Sequence, residues 1–118
     1  MGDRGQVYIG DQCGGIYLYT YSNASSLIRR VAEGMIAGKS RWNDIGYLTR
    51  IIFDYMRDAE DFRQEYGFGI SRAPADDVWR EIVIDMDRHV ITIYNYNESK
   101  VERWMGSFER FITVNWRK

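Results

Sequence analysis

The stretch GGIYLYTYS, Gly14 to Ser22, carries Tyr17, Tyr19 and Tyr21 at alternate positions. On an extended strand alternate side chains share a face, so these rings predict an aromatic platform opposite Ile16, Leu18 and Thr20. Tyr8, Tyr94 and Tyr96 join that platform if the first and last β-rich runs lie in one sheet. Three readings follow. A C-terminal helix bearing Trp104 and Phe108 covers the rings, or they satisfy one another across strands. Alternatively they form a protein or subunit interface, where tyrosine is enriched. The third is a base-stacking platform, worth ~1–3 kcal/mol per stacked base. Asp85 on the same predicted face disfavours phosphate, so the six tyrosines stand as interface candidates ahead of a nucleotide site.

GKSRWND is a second stretch with chemistry. Lys39, Arg41 and Trp42, with Arg29 and Arg30 on the preceding helix, could make an anion-binding corner beside a helix start at Asp44. The simpler alternative packs Trp42 into the core and leaves the cations in water. Other signals are weaker. Asp85 and Asp87 point to one side of a strand, as an acid/base pair or Mg²⁺ ligands do, but a strand end reaching solvent explains them equally. His89 is the single histidine and Cys13 the single cysteine. The first reads as an exposed turn residue and the second lies in a hairpin turn with no base to activate it. Asp54 and Asp58 share a helix face, with Arg50 spaced to pair with Asp54. The glycines near the start lack the following Lys-Ser/Thr of a phosphate-binding loop, and GFGIS is no nucleophile elbow. No catalytic residue, metal ligand or cofactor is assigned.

The elements that must position these groups follow from periodicity. Val7 to Asp11 and Ile16 to Tyr21 read as a hairpin joined through Gly14-Gly15. Ala24, Leu27, Val31 and Met35 then recur at helical spacing until Gly38. A second helix starts at Asn43 or Asp44 and aligns Ile45, Leu48, Ile52 and Tyr55, with Ile51 and Met56 widening the stripe. The charged run Arg57 to Glu65 reads as a solvated helix end or loop. Alternation returns with Tyr66, Phe68 and Ile70. It continues in REIVIDMDRHVITIYNYN as two strands, with Ile82, Ile84, Ile91 and Ile93 facing the core. Val101, Trp104, Met105, Phe108, Phe111 and Ile112 fit a final helix interrupted by Gly106. The predicted order is ββααβββα. This is an α+β fold, a single domain over 1–118, with two helices on one face of an antiparallel sheet of about five strands.

Composition agrees with one folded domain. The chain has 118 residues, 45% hydrophobic and 28% charged, which places it away from the disordered regime. Aromatic residues make up 15%, against one proline. A net charge of −1 implies no general attraction to nucleic acid or anionic lipid. The single cysteine, the absence of an apolar run of ~18 residues and a start without a basic, apolar leader predict a cytoplasmic protein with no membrane span.

GGIYLYTYS, RWNDIGYLTRIIFDYM, YGFGIS and IVIDMD, over residues 14 to 87, resemble a family of small proteins of bacterial and phage genomes that has no established activity. Where His-Trp and glycines often stand in that family, this chain has Tyr21-Ser22-Asn23, so no histidine role carries over. The resemblance implies a phage or mobile-element accessory protein. The leading expectation is therefore a non-enzymatic binding protein, a phage-type inhibitor of a bacterial defence system that binds a host protein or nucleoprotein complex in the host cytoplasm. Two alternatives stand beside it: a homo-oligomer that sequesters a nucleotide signal, and a small metal-dependent hydrolase or nucleotide-processing enzyme built on Asp85 and Asp87, with His89.

Overall fold

A computed structural model describes residues 2–57 and 67–116. The charged run expected to follow the second helix, beyond Arg57, and the alternating position Tyr66 lie outside the described residues. In chain order the elements are β1 (Gly5–Asp11), β2 (Gly14–Thr20), α1 (Leu27–Ala37), α2 (Ile45–Met56), β3 (Phe68–Ser71), β4 (Arg80–Asp85), β5 (Val90–Tyr96), β6 (Lys100–Ser107) and α3 (Phe108–Thr113). The sheet has six strands in the order β3-β2-β1-β4-β5-β6. The α+β class holds, and two details are corrected: there are six strands, and β1 pairs with β4 in parallel, so the sheet is mixed. Hairpin signals specify only neighbours in sequence. A parallel pair needs a long crossover and leaves no local mark.

One face of the sheet is apolar because alternate residues put Val7, Ile9, Leu18, Ile82, Ile84, Ile91 and Ile93 on it, all buried. α1 and α2 cover that face with Leu27, Val31, Met35, Leu48, Ile52 and Met56, in a single core cluster. The two helices approach closely at Gly34, where a Cβ would lie 3.1 Å from the Ile52 Cα. The Asp44 carboxylate caps α2 by accepting the Tyr47 N–H at 3.3 Å. At the other end of α2, Arg30 donates to the orphan carbonyls of Tyr55 and Met56, at 3.2 and 3.5 Å. Tyr55 turns outward from the predicted stripe and is exposed.

The expected C-terminal helix is the main departure. Residues 100–107 form β6, paired with β5, and only Phe108–Thr113 are helical. Ile93 faces Trp104, yet Tyr94 faces Glu102, so Arg103 is the extra residue of a β-bulge. The bulge puts Val101 and Trp104, three apart, on the same side of a strand, which imitates helical spacing. Ser107 caps α3 through the Arg110 N–H at 3.1 Å, and α3 buries Phe108 and Phe111 in the same core as α1 and α2. All three helices therefore occupy one face of the sheet.

Glycine placement follows the rings. Gly10 and Gly15 face each other across β1 and β2, and the Tyr8 ring lies over both. A Cβ at Gly15 would sit 2.5 Å from the Ile9 carbonyl oxygen and 2.6 Å from Tyr8, whereas one at Gly69 would meet nothing within 4 Å. Gly15→Ala is therefore expected to cost about 1–3 kcal/mol. Gly69→Ala should be neutral or stabilising by up to about 1 kcal/mol. Urea denaturation of the two variants measures the contrast, and equal midpoints would contradict it.

Candidate functional site

Among the described residues, no helix lies on the second face of the sheet. The side chains of that face include Tyr17 and Tyr19 on β2, Gln6 and Tyr8 on β1, Glu81, Val83 and Asp85 on β4, Val90, Thr92, Tyr94 and Tyr96 on β5, and Lys100, Glu102 and Met105 on β6, as the pairing registers require. Tyr8, Tyr17, Tyr19, Tyr94 and Tyr96 are half-buried there, and Tyr21, one residue past β2, is 44% exposed. The C-terminal helix does not cover these rings. Tyr8 and Tyr17, directly opposed, pack with centroids 4.8 Å apart at 49°.

A charged hub lies at the centre of this face. The parallel register sets Gln6 against Glu81, and both are buried, at 2% and 5% exposure. Gln6 Nε2 donates to Glu81 Oε2 at 3.0 Å, and the Tyr96 hydroxyl donates to Oε1 at 3.0 Å. Lys100 Nζ stands 3.5 Å from Oε1 and 4.2 Å from the Tyr94 ring centroid. Burial opposes the ammonium charge of Lys100, but Glu81, with Tyr96 and Tyr94, outweighs it and holds the pKa above the usual lysine value. Gln6 also accepts the Ala75 N–H at 2.9 Å, which ties the chain between β3 and β4 down across the face.

That segment, residues 72–79, shapes a groove of about 450 Å³ against β2 and β3, with Tyr17, Tyr19, Gly69, Ser71, Asp76 and Asp77 among its lining residues. At its rim Asp77 accepts from Arg4 at 2.7 Å, and the Arg4 guanidinium lies 4.5 Å from the Tyr21 ring centroid. Burial first, then the Glu81 carboxylate, raise the pKa of the Tyr17 hydroxyl; burial and then Asp77 raise that of Tyr19. Tyr96 is raised by burial and by its bond to Glu81. Asp3, ahead of β1, accepts from Ser25 and Trp79. Burial opposes its ionisation, but hydrogen bonds from Ser25 and Trp79 and the charge of Arg80 lower its pKa overall.

The five residues of the proposed anion corner are not all brought together: Lys39 Nζ lies 5.7 Å from the Trp42 ring centroid, but Arg29 and Arg30 are elsewhere. Arg29 pairs with Glu33 at 3.2 Å, and Arg30 serves α2 at the start of α1. Lys39 and Arg41 follow the other end of α1, about 15 Å of helix away. They lie near Glu109 and Asp44, at 3.9 and 3.7 Å. Trp42 is a core residue, 7% exposed, whose Nε1 donates to the Met35 carbonyl at 3.0 Å. Arg50 pairs with Asp54 at 2.7 Å, as the spacing implies.

Asp85 Oδ1 accepts the N–H groups of Asp87 and Arg88 at 3.0 and 3.1 Å, so this carboxylate shapes the turn between β4 and β5. His89, expected in solvent, is half-buried. Its ring stacks on Phe108 at 4.5 Å and 10°, and Nε2 lies 2.9 Å from Asn43 Oδ1. Cys13 is exposed in its hairpin turn. Among the described residues no three His, Cys, Asp or Glu side chains are grouped to hold a metal, and no helix is long and apolar enough to cross a membrane.

Sequence reasoning missed Gln6, Glu81, Lys100 and the groove-forming segment. The available signal for Gln6 and Glu81 was a polar residue directly before the apolar runs Val7–Ile9 and Ile82–Ile84. Comparison with protein-family models, curated proteins and solved structures returns no match.

A tyrosine whose pKa is raised by folding favours the folded state below its unfolded value, and that contribution is lost as pH rises through the folded pKa. The same sign holds for Lys100. Stability should therefore fall above pH ~10, where unfolded tyrosine ionises. Ultraviolet titration of tyrosinate should place Tyr17, Tyr19 and Tyr96 above 10.0. Loss of the highest-pH phase in the Tyr→Phe variants identifies each, and titration of all three at or below 10.0 would contradict the hub.

Proposed function

We propose that this chain is a non-enzymatic binding protein that docks a protein partner on the helix-free face of its sheet, as a phage-type inhibitor of a bacterial defence system docks on a host complex. The observation that carries the reading is one-sided packing: three helices cover the aliphatic face, and five half-buried tyrosines remain on the other. Tyrosine supplies large contact area at small entropic cost and a hydroxyl that tolerates water before docking, which suits a surface that is sometimes bare. The resemblance to small proteins of bacterial and phage genomes supports the host-directed part of the reading.

The charge of the face favours protein over nucleotide. Among the described residues, the ionisable side chains lining its groove, tyrosines apart, are Asp76 and Asp77. Carboxylates repel phosphate, so a nucleotide would bind against the local field. The hydrolase reading has less support, because Asp85 is engaged with the backbone of its own turn.

Immobilised protein in lysate of the bacterial host, treated with nuclease, tests this. A host protein complex should be retained. Retention should drop by roughly tenfold or more in Tyr19→Ala/Tyr94→Ala, the scale of losing interface hot spots. Tyr47→Ala, an exposed tyrosine on α2, should leave retention unchanged. Equal retention by all three folded proteins, or retention that nuclease removes, would overturn the reading.

A further inference from the structure

The groove beside β3 has a more specific chemistry than the rest of the face. Its walls are the rings of Tyr17 and Tyr19, the backbone of β3 at Gly69 to Ser71, and the segment carrying Ala75, Asp76 and Asp77. Asp77 is already matched by Arg4 at 2.7 Å. Asp76 is exposed at the groove and makes no hydrogen bond or ion pair among the described residues, whereas Asp77 does. Gly69 meets nothing within 4 Å at its Cβ position, which leaves the groove open where it crosses from Tyr19 to β3.

The protein itself shows what chemistry these tyrosines accept. The Arg4 guanidinium lies over Tyr21 while bonding Asp77, and Lys100 lies over Tyr94 while facing Glu81. Each pairs a cation with one aromatic face and one carboxylate. Tyr17 and Tyr19 with Asp76 repeat the two halves of that arrangement, and among the described residues no cation lies over either ring. A planar guanidinium suits it better than an ammonium, because it stacks on a ring and still presents a fork of N–H donors to a carboxylate. A space of about 450 Å³ admits an arginine side chain with some flanking backbone.

We propose that the groove between Tyr17, Tyr19 and Asp76 receives an arginine side chain from an extended basic segment of the partner protein. The proposal rests on the helix-free face being a protein-docking surface, and it adds the chemical class that the surface selects.

The probe is a blocked Gly-Arg-Gly peptide, titrated into isotopically labelled protein and followed by backbone amide NMR. Shifts are expected at Tyr17, Tyr19, Gly69 and Ala75. The peptide with citrulline in place of arginine removes the charge at nearly constant shape and should bind about tenfold more weakly or worse. Asp76→Asn should weaken the arginine peptide by about fivefold or more, and Gly69→Leu, which projects into the groove, should abolish its shifts. Amide spectra of both variants establish that they are folded. No shift at these residues, equal binding of the citrulline peptide, or undiminished binding by Asp76→Asn overturns the proposal. So does a nucleoside monophosphate that binds the groove in place of the peptide. If the tyrosine variants lose the host complex while the arginine peptide moves no amide, the docking surface stands and the arginine site fails. If the peptide binds as expected while capture ignores the tyrosines, the arginine site stands and the docking surface fails.

Discussion

A carboxylate removed from water costs several kcal/mol unless donors replace its hydration, and Glu81 is such a group in the middle of a sheet face. Its partners come from three different strands: Gln6 on β1 and Tyr96 on β5 donate hydrogen bonds, and Lys100 on β6 supplies an ion pair. Gln6 reaches Glu81 only when β1 lies parallel to β4 in its observed register, and Lys100 only when β6 returns beside β5; Tyr96 needs the β4–β5 hairpin alone. Half-satisfied, the hub would be worse than an apolar patch, so its completeness ties the two halves of the sheet to one arrangement. Gln6 then passes the constraint on to Ala75, and the segment that Ala75 anchors forms the groove.

The opposite face is held by ordinary burial, with one feature that decides the fate of the tyrosines. β6 ends at Ser107 and the chain turns at once into α3, where the Phe108 N–H donates to the His89 carbonyl at 2.9 Å. His89 adopts a φ of 54°, a left-handed conformation uncommon for a residue with a side chain, and its ring stacks on Phe108. Phe108 in turn meets Trp42 edge-on at 5.3 Å. The aromatic residues at 42, 89 and 108 thus lock α3 to the helix side. A Trp104, Phe111 and Trp116 cluster completes that side, with Trp116 Nε1 bonded to the Phe111 carbonyl at 2.7 Å.

Much of this was legible from residue pattern. The hairpin, the Gly38 stop, the Asp44 cap and the division of β2 into an aliphatic and a tyrosine face all appear where periodicity puts them, because each depends on neighbours a few residues apart. Two local signals misled. The bulge at Arg103 gave strand residues the spacing of a helix, and His89, in an apparently exposed turn, is carried inward by a ring more than a dozen residues later. Of the cations grouped by sequence with Trp42, Lys39 stays over its ring, while Arg29 and Arg30 are separated from it by the length of α1.

The sequence alone determined which side chains share a strand or helix face, since backbone geometry repeats every two or 3.6 residues whatever the rest of the chain does. It therefore determined that tyrosines would stand opposite a core-facing aliphatic set. Only the tertiary structure decided what lies over those tyrosines and what lies between them. A parallel partner for β1 and the side taken by α3 depend on contacts far apart in the chain, which no local period encodes. The same long-range pairing buried Glu81 and placed Gln6 where it ties down residues 72–79 through Ala75, turning a row of alternate rings into a face with a charged centre and an acid-rimmed groove.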